Sequence, residues 1–73
     1  MTNQPNIAVN QVWRSRYTTG MHVAITEVDG SRVRLVNVSV REGVATRQQG
    51  AGRGRWATTA QLTRAYMSTD LTL

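Results

Sequence analysis

The sequence predicts an all-β fold: a small barrel of five short strands with one helical turn near residues 59–66. Two stretches, residues 21–28 and 32–40, are rich in β-branched side chains and alternate between apolar and polar positions, as half-buried strands do. Asp29-Gly30-Ser31 and Arg41-Glu42-Gly43 are turn sequences that separate such strands. With 73 residues the chain has room for a single hydrophobic core.

The elements follow one another in a simple order. Residues 1–8 are polar and include the only proline, so we expect a flexible lead before a single barrel domain over residues 9–73. The strands are expected at residues 9–17, 21–28, 32–40 and 44–49, with brief ones at 56–57 and 70–73. Thr58 and Gln61 have the spacing of a helix capping box, and Leu62, Ala65 and Tyr66 follow at helical spacing.

The central hairpin has a register that its side chains predict. A four-residue connection from Asp29 to Arg32 pairs residues of matching character, including an ion pair. The expected pairs are Val28–Val33, Glu27–Arg34, Ile25–Val36, Val23–Val38 and Met21–Val40. The apolar positions change parity between Leu35 and Val36, so the hairpin should bend and supply two apolar layers. About five strands fit an SH3-like barrel better than an OB-like one, which usually needs more chain.

Composition excludes several kinds of chemistry. The chain has no cysteine and one histidine, His22, which excludes disulfides and thiolate metal sites and argues against a histidine triad. The four acidic residues show no paired-carboxylate spacing. We therefore expect no enzyme, no cofactor and no metal. No apolar run approaches 18 residues and the first residues carry no signal-peptide pattern, so we expect a cytoplasmic protein without membrane contact.

All nine basic residues are arginines, and only four residues are acidic, which gives a net charge of +5. A GC-rich genome explains the absence of lysine together with the many alanines, valines and glycines. It does not explain the net charge, because such coding also supplies Asp and Glu. A positive field on so small a body favours a polyanion or an acidic protein as partner.

The segment Gly50-Ala51-Gly52-Arg53-Gly54-Arg55-Trp56 is the sharpest functional feature. An extended Arg53-Gly54-Arg55 is thin enough to enter a narrow A·T minor groove, where guanidinium groups meet an enhanced negative potential. Two alternatives are a sequence-tolerant contact with nucleic acid and a flexible hairpin tip, in which glycines make turns and arginines provide solubility.

The other arginines are candidates for a second basic surface. Arg14 and Arg16 should share one side of a strand, as should Arg32 and Arg34, with Arg47 and Arg64 nearby. Interleaved Trp13, Tyr17 and Trp56 would allow such a surface to stack bases and contact phosphates. The alternative for both tryptophans is the core, since a barrel without phenylalanine needs their volume. The candidate nucleic-acid contacts are Arg53, Gly54, Arg55, Arg14, Arg16, Arg32, Arg34, Arg47, Arg64 and Tyr17.

Short motifs link the chain to a group of known proteins. Val12-Trp13, Val28-Asp29-Gly30, a basic stretch, Leu62-Thr63-Arg64-Ala65-Tyr66 and Ser68-Thr69 follow one another along the chain. In this the chain resembles small uncharacterised SH3-like proteins of actinobacteria and their phages, over about residues 9–73. It departs from them at Tyr66-Met67, where basic residues or proline usually follow the aromatic. The resemblance implies the fold and an actinobacterial or phage origin, but no activity.

Two functions are open from the sequence. The first is a nucleic-acid-binding barrel, with DNA as the expected ligand, arginines on the phosphates and the Gly-Arg loop in a groove. The second is a protein-interaction module, such as a phage protein that binds a host or virion protein. We also expect self-association to a homo-oligomer, because the central hairpin is apolar on parts of both faces.

Overall fold

The computed structural model describes residues 7–48 and 52–73, and there an antiparallel six-stranded sheet curls into a half-barrel with one short helix. The all-β prediction is confirmed: the four main strands and both brief ones expected from the sequence are present, so the sheet has six strands where the expected barrel had five. The elements are β1 (Gln11–Ser15), β2 (His22–Asp29), β3 (Arg32–Arg41), β4 (Val44–Arg47), β5 (Arg55–Thr58), α1 (Thr59–Ala65) and β6 (Tyr66–Thr72). Of the predicted lead, residues 1–6 lie outside the described residues, and Ile7 packs against the core.

The long strand β3 pairs with three other strands, β2, β4 and β5. The strand order is β4-β3-β2-β1-β6, and β5 pairs with β3 outside this path. The first half of β3, from Arg32 to Leu35, pairs with β5, while the second half, from Val38 to Arg41, pairs with β4. Because β2 occupies the other edge of β3, β4 and β5 follow each other along one edge. Gln48, which directly follows β4, donates its backbone amide to the Asn37 carbonyl at 3.3 Å, beside the middle of β3.

The central hairpin keeps the predicted register only near its turn. Val28 pairs with Val33 and Glu27 with Arg34, as expected. The predicted pairs Ile25–Val36, Val23–Val38 and Met21–Val40 are wrong, because the register shifts by one residue between Ile25 and Glu27. The extra residue is Thr26, whose hydroxyl donates to the Arg34 carbonyl at 3.4 Å. This β-bulge places Ile25 opposite Leu35, so that both side chains reach the same core.

Buried apolar side chains form two clusters, one on each side of the sheet. The first contains Trp13, Val23, Ile25, Val33, Leu35 and Leu62. The second contains Val12, Ala24, Val36 and Val38, with Val40, Ala45 and Leu71 packed against it. The predicted supply of two apolar layers is thus confirmed. Both clusters are buried within one chain, and the expected self-association stays a prediction.

The helix is short and capped at both ends. At its start, the Thr58 hydroxyl accepts from the Gln61 amide at 3.0 Å, and the Gln61 side chain accepts from the Thr58 amide at 2.9 Å. The predicted capping box is therefore confirmed. At its end, the Arg16 guanidinium Nε donates to the carbonyls of Thr63 and Tyr66, at 3.3 and 3.1 Å. Leu62 anchors the helix in the first cluster. β6 begins at once, four residues earlier than the strand expected at 70–73.

A candidate nucleic-acid interface

Four arginines lie on the side of the sheet that carries the second cluster. Residues directly opposite each other in antiparallel strands share a side of the sheet. Arg47 pairs with Val38, Val38 with His22, and His22 with Arg14, so Arg14 and Arg47 lie on the side of Val38. Alternation along β3 places Arg34 and Arg32 on this side as well. We call this set the arginine face: Arg14, Arg32, Arg34 and Arg47, with Arg53 joining them from the segment before β5.

Trp56 contacts two arginines at the β5 end of the arginine face. It pairs with Arg34 across the strands, and the guanidinium carbon of Arg34 lies 4.7 Å from the centre of the Trp56 rings. The guanidinium carbon of Arg32 lies 5.0 Å from the same centre. Such cation–π contacts hold both guanidinium groups over the indole. Trp13 is fully buried, whereas Trp56 keeps 37% of its surface exposed, so the core alternative holds for Trp13 only.

Two carboxylates neutralise part of this charge. Arg32 Nη2 lies 3.2 Å from Asp29 Oδ2, and Arg34 Nη1 lies 3.0 Å from Glu27 Oε1. The second contact is the ion pair that the sequence predicts across the hairpin. Arg47 and Arg53 form no ion pair within residues 7–48 and 52–73. The positive charges of Arg47 and Arg53, beside Arg34, therefore remain uncompensated.

Several of these charged groups line an open pocket of about 420 Å³. Its lining residues are Thr26, Glu27, Arg34, Arg47 and Arg53. Three guanidinium groups and a single carboxylate give its walls a net positive charge. Arg47 Nη2 also donates to the Gly52 carbonyl at 3.1 Å, which ties the segment carrying Arg53 to β4. Such a convergence of guanidinium groups suits a ligand with anionic oxygens.

Gly54 faces the sheet, which corrects the prediction of an extended Arg53-Gly54-Arg55 insert. Its φ is +83°, and a Cβ there would collide with the Leu35 carbonyl and approach Val36 Cγ1 to 2.7 Å. The glycine therefore permits close packing on β3, and the flanking arginines separate. Arg53 lines the pocket. Arg55 lies on the side of the first cluster, because it pairs with Leu35. Gly50 and Ala51 of the same motif lie outside the described residues.

Arg55 is engaged in contacts within the fold. Its Nη2 donates to the Tyr66 hydroxyl at 2.8 Å and its Nη1 to Asn37 Oδ1 at 3.5 Å. Tyr66 packs against the first cluster, so this contact links β5 to the beginning of β6. Arg55 is therefore not brought together with the arginine face, in contrast to the prediction.

Three further predicted contacts gather at the end of α1. Arg16 caps the helix through the bonds given above, and its backbone amide donates to the Ala65 carbonyl at 2.9 Å. The Tyr17 hydroxyl donates to the Arg64 carbonyl at 3.5 Å, and Tyr17 is 78% exposed. Arg64 occupies the last turn of the helix, where a positive charge suits the helix dipole. Arg14 and Arg16 were expected to share one side of a strand, but β1 ends at Ser15, so Arg16 lies beyond the strand that carries Arg14.

Sequence reasoning missed the part that Thr26 and Glu27 play in the pocket. Glu27 was recognisable as the partner of Arg34, whereas Thr26 lines the pocket as the extra residue of the bulge. Nothing in the local sequence marks that bulge, since Thr26 is an ordinary strand residue.

Comparison with protein families, with curated proteins and with solved structures gives no match for this chain. Its resemblance to actinobacterial and phage proteins therefore stays a prediction. Within the described residues no cluster of His, Cys, Asp and Glu has the arrangement of a metal site. The same residues contain no helix with the length and apolar character needed to cross a membrane.

Proposed function

We propose that the protein binds nucleic acid through the arginine face. The observation that carries this proposal is the convergence of Arg34, Arg47 and Arg53 on one open pocket beside the half-exposed Trp56. Guanidinium groups form paired, charge-assisted hydrogen bonds with phosphate oxygens. A net charge of +5 attracts a polyanion to this surface over a longer range.

The expected mode is contact with the backbone of DNA. Phosphates lie against the arginines, and the exposed part of Trp56 supports a base or sugar beside them. Gly54 faces β3, so insertion of Arg53-Gly54-Arg55 into a minor groove does not belong to this mode. The proposal assigns no reaction to the chain, and a cytoplasmic location suits such a ligand.

Fluorescence anisotropy with labelled 20-mers tests the function. The probes are an AT-rich duplex, a GC-rich duplex and a single strand, each titrated at low and moderate salt. We expect dissociation constants of about 1 µM or below at low salt, weakening steeply as salt is added, because phosphate contacts release counterions. Similar affinity for both duplexes is expected. Absence of binding at low salt, or binding that ignores salt, contradicts the proposal.

A double variant locates the site. Arg47→Gln with Arg53→Gln removes two guanidinium groups from the pocket, and we expect affinity to fall about tenfold or more at moderate salt. The matched control, Arg41→Gln with Arg64→Gln, makes the same change in net charge with two exposed arginines outside the arginine face. Equal losses in both double variants would mean that net charge alone drives binding and that the pocket is not the site.

A second candidate is a protein interaction at the free edge of β6. This strand is seven residues long and pairs only with β1 among the described strands, so its other edge offers backbone donors and acceptors. An extended acidic segment of another protein would suit that edge and the net charge. Binding of this kind should survive the Arg47→Gln/Arg53→Gln substitution, whereas binding of DNA should not.

A further inference from the structure

The carboxylate of Glu27 lies inside the pocket that we assign to nucleic acid. Its Oε1 is 3.0 Å from Arg34 Nη1, and both residues line the pocket together with Arg47 and Arg53. We propose that this pocket binds one phosphate group of the nucleic-acid backbone, and that Glu27 occupies the position of that phosphate on Arg34 in the free protein. The proposal rests on the proposed function and identifies the ligand group and its internal competitor.

The two members of the ion pair differ in how firmly they are held. The Arg34 side chain is 23% exposed and lies against Trp56, in the middle of paired strands. The Glu27 side chain is 55% exposed and follows the bulge at Thr26. Glu27 can therefore turn towards solvent while Arg34 keeps its place. Exposed ion pairs of this kind contribute little to stability, so releasing the carboxylate costs little.

A phosphate oxygen is a fitting replacement for the carboxylate. Both are anionic acceptors that guanidinium groups bind in the same planar geometry. Arg34 Nε is buried and has no hydrogen-bond partner within the described residues, so the guanidinium group is not saturated by Glu27. Arg47 and Arg53 supply further positive charge that has no carboxylate of its own there. A phosphate in the pocket would meet three guanidinium groups, whereas Glu27 is paired with one.

Competition by Glu27 predicts that its removal strengthens binding. Glu27→Gln keeps the size of the side chain and an oxygen acceptor for Arg34, but it removes the negative charge. The matched control is Glu42→Gln, which changes net charge by the same amount. Glu42 lies in the turn between β3 and β4. It is roughly 13 Å along the strand from Arg47, beyond the distance of about 8 Å over which exposed charges interact at physiological salt.

The experiment measures anisotropy of the labelled 20-mers with the wild type and three variants at moderate salt. We expect Glu27→Gln to tighten binding about fivefold, and Glu42→Gln by no more than about twofold. Glu27→Asp retains the charge and should bind within about twofold of the wild type. Circular dichroism melts of each variant establish that it is folded.

The outcomes separate this proposal from the function on which it rests. Glu27→Gln that binds no tighter than Glu42→Gln, while the wild type binds with a salt dependence, overturns the competition and leaves the function in place. Weaker binding by Glu27→Gln would show that the carboxylate orients Arg34 instead. Absence of binding by all four proteins overturns both the function and the phosphate site.

Discussion

A side chain at position 54 would be unfavourable for two reasons, the backbone conformation and the close approach to β3. Its backbone lies in the left-handed region, and its Cα faces the backbone of Leu35. We expect Gly54→Ala to lower the free energy of unfolding by about 3 kcal/mol or more, because strain and collision add. Urea denaturation followed by tryptophan fluorescence measures this change. The shape of the pocket should change as well, because Arg53, which lines it, directly precedes this glycine.

Gly20 provides the control for Gly54. It has the same φ of +83°, but a Cβ added there would meet nothing within 4 Å. Gly20→Ala should therefore cost only the strain of the backbone conformation, about 1 kcal/mol. Equal losses at the two positions would show that the close approach of Gly54 to β3 is not needed for the fold.

At the scale of elements, α1 has side-chain hydrogen bonds at both ends, from its capping box at the start and from Arg16 at the end. Arg16 donates to two carbonyls at the end of this seven-residue helix. We expect Arg16→Gln to lower the free energy of unfolding by about 1 kcal/mol and to leave DNA affinity nearly unchanged. Arg14→Gln, on the arginine face, should do the reverse. Urea denaturation and anisotropy of both variants check the pair, and a large loss of binding in Arg16→Gln contradicts this division.

The elements also show where local sequence stops being informative. The capping box and the turn of the central hairpin depend on residues close in the chain, so their patterns predicted them correctly. The bulge at Thr26 depends on the packing of Ile25 against Leu35 and on the rest of the core. β6 pairs with β1 across more than fifty residues, and its polar sequence is explained only by that partner. Packing and pairing between residues far apart in the chain leave no signal in the local sequence.

For the whole molecule, the net charge can be read from the sequence, but the division of the arginines between the two sides of the sheet cannot. Eight arginines were candidate nucleic-acid contacts, divided between the Gly-Arg segment and a second basic surface. Which of them share a side of the sheet depends on strand register and on where β1 ends. The fold places Arg55 beside Tyr66 and Arg16 at the helix end, and it leaves five arginines on the arginine face. A patch of that size limits the number of phosphates that one ligand can contact.

This limit sets the salt dependence of binding. If the five arginines of the arginine face are the only contacts, the slope of log affinity against log salt is at most about 4.5 in magnitude for a duplex and about 3.5 for a single strand. Contact with all eight candidate arginines would give about 7 for a duplex. We therefore expect a slope below about 5 for either probe, measured by anisotropy over a series of salt concentrations. A steeper slope would mean that the ligand also reaches Arg16, Arg55 or Arg64, which is possible only if it wraps around the barrel or if several chains bind together.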